Sequence, residues 1–346
     1  MTKIGKHSES ISRIAWVDYM KAFSIMAVVL NHTHLTAEVK AYVYLICLPA
    51  FFFTAGIFTH PQRSFKSFAV HQTKRLLIPY LLWSGILWLI WLLVARKYGN
   101  YTEATLSWWY PLKGMLLGKS DFQAYSPLWF LCCLMSVEWM YYFIYKIPQK
   151  WLRWLVILFS GTIGCLLSCW QQNWIWEISA ALIILPLYGL GAEYGKKIQE
   201  KAKTYGIPSL ALILFLSLIG VWIGAKYNAG IGLHDSYIGK PYVYYPSIVA
   251  VIGMWGAISL LLDRFFGSAH ILSFIGQNTL FILCAHIPVF GIIKGIAILC
   301  HLSLDFFETG LGCLCLWAGS FVILLPAAYI VNRYLPWTVG KKKLNP

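Results

Sequence analysis

The chain is written in long apolar stretches separated by short polar ones. An α-helix that crosses a bilayer needs about 20 mostly apolar residues. Ten stretches approach that length: 14–33, 42–59, 76–95, 128–145, 152–170, 174–192, 207–225, 244–262, 278–299 and 311–332. Their apolar positions are continuous and do not alternate, which excludes the period-two signature of a membrane barrel. Inside hydrocarbon, only helices and closed barrels satisfy every backbone N–H and C=O. The pattern therefore predicts an all-α fold, a polytopic transmembrane helical bundle of about ten spans, as one integral membrane domain over residues 1–346. Short or interrupted stretches leave nine or eleven spans as alternatives. The first thirteen residues are polar and basic, and the apolar run behind them is too long for a signal-peptide core. That run is expected to be retained as the first span.

Composition sharpens this picture. Only 12% of the residues are charged, against roughly 25% in soluble domains. The 17 Trp, 21 Tyr and 20 Phe are amphipathic or apolar rings suited to lipid and its interfaces. A formal net charge of +15 would suggest nucleic acid in a soluble protein. Here the cations fall mainly in short connections, so topology accounts for them and nucleic acid is not expected as a partner. Placing the N-terminus inside puts Lys3, Lys6, Arg13, Arg63, Lys66, Lys74, Arg75, Lys146, Lys150 and Arg153 on the cytoplasmic side. Lys196, Lys197, Lys201, Lys203, Arg264, Arg333, Lys341, Lys342 and Lys343 join them. Lys40, Arg96, Lys97, Lys113, Lys119, Lys226, Lys240 and Lys294 fall outside. This bias predicts an even span count with both termini cytoplasmic, in a multi-pass protein of the inner (plasma) membrane. Two outer loops, 96–127 and 226–243, carry aromatics such as Trp108, Trp109, Tyr110, Tyr125, Tyr237 and Tyr242. Such rings serve an interfacial belt or stack on sugars. The nine cysteines contain no C-x-x-C pair; they read as packing residues, and no metal site is expected.

The candidate chemistry starts in the first stretch, RIAWVDYMKAFSIMAVVLNHTH. Asp18, Lys21 and His32 are costly in hydrocarbon and are functional candidates for that reason. At about 100° per residue, Lys21 and His32 differ by about 20°, and Asp18 lies about 40° to the other side of His32. The three share one stripe, which must face the bundle interior. A rise of about 1.5 Å per residue separates Lys21 from His32 by roughly 16 Å. The plainer reading is an Asp18–Lys21 pair at i, i+3 near the interface, with His32 marking the helix end. Glu138 and His286 also interrupt apolar stretches. Glu138 suits a buried cation, and His286 suits a backbone carbonyl as well as catalysis.

Further along, Pro49, Phe51, Phe52, Ala55 and Gly56 form a Pro-x-Phe-Phe segment ending in Ala-Gly, and Lys74 and Arg75 precede Leu76 and Pro79. Trp129, Phe130 and Leu131 follow, then Gly276, Asn278 and Thr279 leading to His286. In this order, and with Asp18, Lys21 and His32 at the head, the chain resembles the acyltransferase-3 family of integral membrane O-acyltransferases, its sugar O-acetylase branch above all. The family more often has arginine where Lys21 stands, and often two arginines where this chain has Gln72 and Arg75. The resemblance implies transfer of an acyl group, acetyl in the first instance, from cytoplasmic acetyl-CoA or another acyl-CoA to a hydroxyl of an envelope sugar or polysaccharide. It implies His32 as general base or acyl relay, and Lys21, Lys74 and Arg75 as binders of the anionic co-substrate. Asp18, Glu138, Trp129, Asn278 and His286 would support them. A transporter or flippase of a lipid-linked sugar is the alternative, but intramembrane charge concentrated in the first three spans favours an anchored reaction centre.

Overall fold

The computed structural model describes residues 14–61, 64–96, 107–119, 127–202, 204–228, 230–267 and 269–342. Lys3, Lys6, Arg13, Arg63, Lys97, Lys203, Lys343 and Tyr125, named above, lie outside them. Among the described residues every regular element is a helix; the one β feature is an isolated antiparallel bridge between Gly232 and Tyr237. The chain runs α1 (Ala15–Asn31), α2 (Ala37–Cys47), α3 (Pro49–Ile57), α4 (Phe65–Gln72), α5 (Ile78–Ile90), α6 (Trp109–Leu117) and α7 (Trp129–Ile144). It continues through α8 (Lys150–Cys169), α9 (Ile178–Ala202), α10 (Ile207–Tyr227), α11 (Pro241–Phe266), α12 (His270–Gln277), α13 (Thr279–Leu299) and α14 (Gly310–Tyr334).

Among the described residues eight helical segments are long and apolar enough to cross a membrane, and the protein is a multi-pass membrane protein. Each of the ten apolar stretches coincides with helix. The two outside that eight are α1 and α7, with 17 and 16 residues. Local chemistry explains the breaks. Pro49 has no N–H to give, so it ends α2 and opens α3 at its first turn. Between α4 and α5 the residues Thr73–Leu77 form a π-helical turn, which the apolar pattern does not reveal. The loop read as 96–127 holds α6, and the short α12 precedes α13.

α1 is the central helix. Trp16, Val17, Tyr19, Met20, Ala22, Ile25 and Val29 are buried along it, and α2, α3, α11, α12, α13 and α14 all pack against it. Its charged stripe is thereby turned inward, away from lipid. By contrast, α10 exposes Leu212, Phe215, Leu216, Ile219 and Trp222, side chains that only a lipid neighbour accommodates in such density. Small residues set a close contact, that of α3 with α9. Gly56 faces the carbonyl of Tyr188 and Gly191 faces that of Phe53, so a Cβ at either position would collide with backbone. This is the close approach that small residues permit between membrane helices. It seats α3 and its aromatic run in the wall of the site.

Candidate active site

Two cavities lie end to end along α1. A wide one of about 240 Å³ opens beside Lys21 and Arg75, and Ile25, Phe51, Thr54, Leu134 and Thr279 help to line it. A narrow one of about 90 Å³ lies beside His32, with Asn31, Trp129, His234, Asp235 and Tyr244 in its wall. Val28, Leu48, Phe130 and Leu283 border both, so these four side chains form the partition.

The wide cavity holds its cations in ion pairs. Lys21 Nζ lies 2.6 Å from Asp18 Oδ1. Gln277, at the end of α12, donates to Asp18 Oδ2 at 3.2 Å. Gly276 lets α12 approach this closely, because any side chain there would meet the Asp18 carbonyl. Across the cavity, Arg75 pairs with buried Glu138 of α7, which also accepts from Gln72. Thus the position where the family often carries a second arginine here serves the carboxylate that holds the first. A π-turn widens the helix at Arg75, a feature frequent at functional sites. Lys74, its neighbour, is exposed and does not line either cavity.

The narrow cavity begins at the C-terminal end of α1. His32 Nδ1 contacts the Val28 carbonyl at 2.8 Å. A carbonyl can only accept, so Nδ1 carries the proton and, in the neutral ring, Nε2 keeps its lone pair. His286 on α13 repeats the arrangement, donating from Nδ1 to the Ile282 carbonyl at 2.9 Å. The two imidazoles meet edge to face with centroids 4.8 Å apart. Nε2 of His286 is buried with no protein partner. The site therefore brings together two histidines with the same tautomer, both able to accept a proton at Nε2.

Other expected site residues fall differently. Trp129 is buried in the narrow cavity wall with its ring 5.5 Å from that of His234. Asn278 lines neither cavity. Its Oδ1 accepts from Asn332 at 2.6 Å and from Lys341 at 2.7 Å, a knot that ties the end of the chain to the start of α13. Three residues of the narrow cavity are not singled out by the sequence: Asn31 stands beside His32, His234 reads as a loop or flank residue, and Asp235 is its neighbour. Behind His234 lies Glu177, fully buried at the start of an apolar stretch. A carboxylate in such a stretch is itself a signal of function. Among the described residues no group of three or more His, Cys, Asp or Glu could hold a metal ion.

Compared with known proteins, the chain matches the family model of the acyltransferase-3 acyltransferase domain over residues 14–333. The chain belongs to the acyltransferase-3 family. Membership shows an acyltransferase, and the match covers both cavities and every side chain just described except Lys341. No curated protein and no solved structure matches this acyltransferase significantly.

Proposed function

We propose that this acyltransferase moves an acetyl group from cytoplasmic acetyl-CoA to a hydroxyl of a cell-envelope sugar or polysaccharide in the inner membrane, as a ten-span protein with both termini in the cytoplasm. One observation carries the reading: a wide cavity bearing cations and a narrow cavity bearing a proton-accepting histidine meet at a shared wall on the same helix. With Lys21 toward the cytoplasm, as the distribution of basic residues favours, the wide cavity faces the compartment that holds acyl-CoA. Its residues fit that co-substrate. The apolar wall of Ile25, Phe51 and Leu134 suits a thin pantetheine arm. Lys21 has three N–H donors and Arg75 five, so each retains donors for phosphate beyond those given to Asp18 or Glu138.

In the reaction, His32 Nε2 takes the proton of the acceptor hydroxyl while that oxygen bonds to the thioester carbonyl carbon. The C–S bond then breaks, and His32 returns its proton to the departing sulfur, so the enzyme ends as it began. Val28 holds the ring in the required tautomer throughout. His286, edge-on to His32, provides a second imidazole beside the charge that forms. A covalent acyl-histidine would use the same Nε2 lone pair.

The test is the O-acetyl content of surface glycans, read by NMR in cells lacking the protein and in cells restored with the native chain or with His32→Ala at equal membrane abundance. Acetate should return with the native chain alone. Full restoration by His32→Ala would make His32 structural and end this mechanism. Acetate unchanged in all three would return weight to a transporter of envelope precursors.

A further inference from the structure

Among the polar groups that line the narrow cavity are three hydrogen-bond acceptors, beside the donors of the Asn31 amide and the Trp129 indole. His32 presents Nε2, because Nδ1 is committed to Val28. Asn31 Oδ1 is buried with no protein partner, which is costly unless a donor reaches it. Asp235 offers a carboxylate at the mouth. Two tyrosines also border the space, and their hydroxyls donate as readily as they accept. Among the described lining residues there is no lysine or arginine, whereas both Lys21 and Arg75 line the wide cavity. Lys40 stands outside, exposed, over the Tyr44 ring at 5.6 Å.

His234 closes this space from the opposite side. Its Nδ1 is 3.5 Å from Glu177 Oε1, and Trp129 flanks its ring. Glu177 reaches that place through unusual backbone. Trp176 and Glu177 both have positive φ, +56° and +53°. Consecutive left-handed non-glycine residues are strained and persist only where the surroundings impose them. Ser136 donates to the Trp176 carbonyl at 2.7 Å and helps to impose this conformation. The segment that carries His234 is equally fixed. Asn173 donates to the His234 carbonyl at 3.1 Å, Asn228 ties Ile238 and Lys240, and Ser168 accepts from the Ile238 N–H. A carboxylate-backed imidazole is thus aimed at the cavity that holds His32.

We propose that the narrow cavity is the acceptor subsite and that it takes an uncharged, hydroxyl-rich sugar or polyol, with His234, held by Glu177, as an acceptor-binding residue. This rests on the acyl transfer proposed above. Three acceptor groups need a ligand that brings O–H donors. An acidic sugar would bring its carboxylate or phosphate against Asp235 with no lysine or arginine among the described wall residues to offset it. Trp129 and Glu177 act through His234 and are positioning residues.

The experiment has two arms. In cells restored with the native chain, NMR assigns which glycan residue carries the restored acetate, and the same is done with His234→Gln, Glu177→Gln and Lys40→Ala. The full-length protein and each variant, purified in detergent, are then tested for stabilisation by acetyl-CoA. The expected result is acetate on residues without carboxylate or phosphate. His234→Gln and Glu177→Gln should each lower it at least tenfold, Lys40→Ala should leave it unchanged, and all should keep native stabilisation by acetyl-CoA. Acetate on an acidic residue, full acetate in both site variants, or loss of acetyl-CoA stabilisation in them overturns the acceptor subsite while acyl transfer stands. If deletion changes no glycan acetate and acetyl-CoA stabilises nothing, the acyl-transfer reading fails and takes this inference with it. Unchanged acetate with intact stabilisation keeps acetyl-CoA as donor and overturns the sugar subsite.

Discussion

The wide and narrow cavities are neighbours on one helix, yet their walls differ in chemistry. The wide one surrounds two ion pairs with Ile25, Phe51, Leu76 and Leu134. A charge in such a setting needs a partner, and Asp18 and Glu138 supply it before any ligand arrives. Among its described residues the narrow one has no lining lysine or arginine, and it offers acceptors at His32, Asn31 and Asp235. On the proposed reading the difference divides the ligands: an anion with an apolar arm in the first and a hydroxyl in the second. The partition of Val28, Leu48, Phe130 and Leu283 is where a thioester and a hydroxyl would meet, and His32 stands beside it.

The comparison breaks most visibly at His32. Its replacement by alanine should slow thiol release from acetyl-CoA in the purified protein by about 10²–10⁴-fold, the usual worth of a general base. Stabilisation by acetyl-CoA should persist, because the proposal seats the donor in the other cavity. A parallel loss of both would mean that the cavities do not act separately. Next in size is Glu138→Ala. It leaves Arg75 without its buried partner and should cost about 3–5 kcal/mol of stability, read as a lower unfolding temperature in detergent. Glu138→Gln keeps a polar acceptor and should cost less; equal losses would show that the charge of Glu138 is not what holds Arg75. Asn278→Ala should cost about 1–2 kcal/mol, because it takes an acceptor from Asn332 and Lys341. The KM for acetyl-CoA should not move, since Asn278 lines neither cavity. A raised KM would extend the wide cavity toward the end of the chain.

How much of this is legible in the sequence depends on where a residue stands. The stripe of Asp18, Lys21 and His32 is visible because lipid makes each polar side chain costly, so helical spacing alone brings them to one face. Glycine and proline positions likewise announce tight packing and the break between α2 and α3. The pairing of His32 with His286 joins the first helix to one near the end of the chain, and no local pattern encodes it. Arg75 and Glu138 meet in the same non-local way. Glu177 and His234 are hidden for another reason. One sits at the start of an apolar stretch and the other in a loop, and the strained backbone at Trp176 and Glu177 helps to bring them together. The π-turn at Thr73–Leu77 is also silent, because a period of 3.6 residues does not anticipate a widened turn.

That turn supplies the smallest and most discriminating test. Sequence alone makes Lys74 and Arg75 equal candidates for binding an anionic donor. In the fold only Arg75 borders the wide cavity, while Lys74 is exposed. An exposed charge is screened by salt and contributes little to a contact it does not touch. Lys74→Ala should therefore change the KM for acetyl-CoA less than about two-fold, and raising the ionic strength should erase even that. Arg75→Lys keeps the charge but loses the planar fork that serves Glu138 and, on the proposed reading, phosphate at once, so its KM should rise by about tenfold, or roughly 1.4 kcal/mol. A large effect at Lys74 with a small one at Arg75 would move donor recognition out of the cavity and onto the surface. The contrast between the two cavities would then rest on their shapes alone.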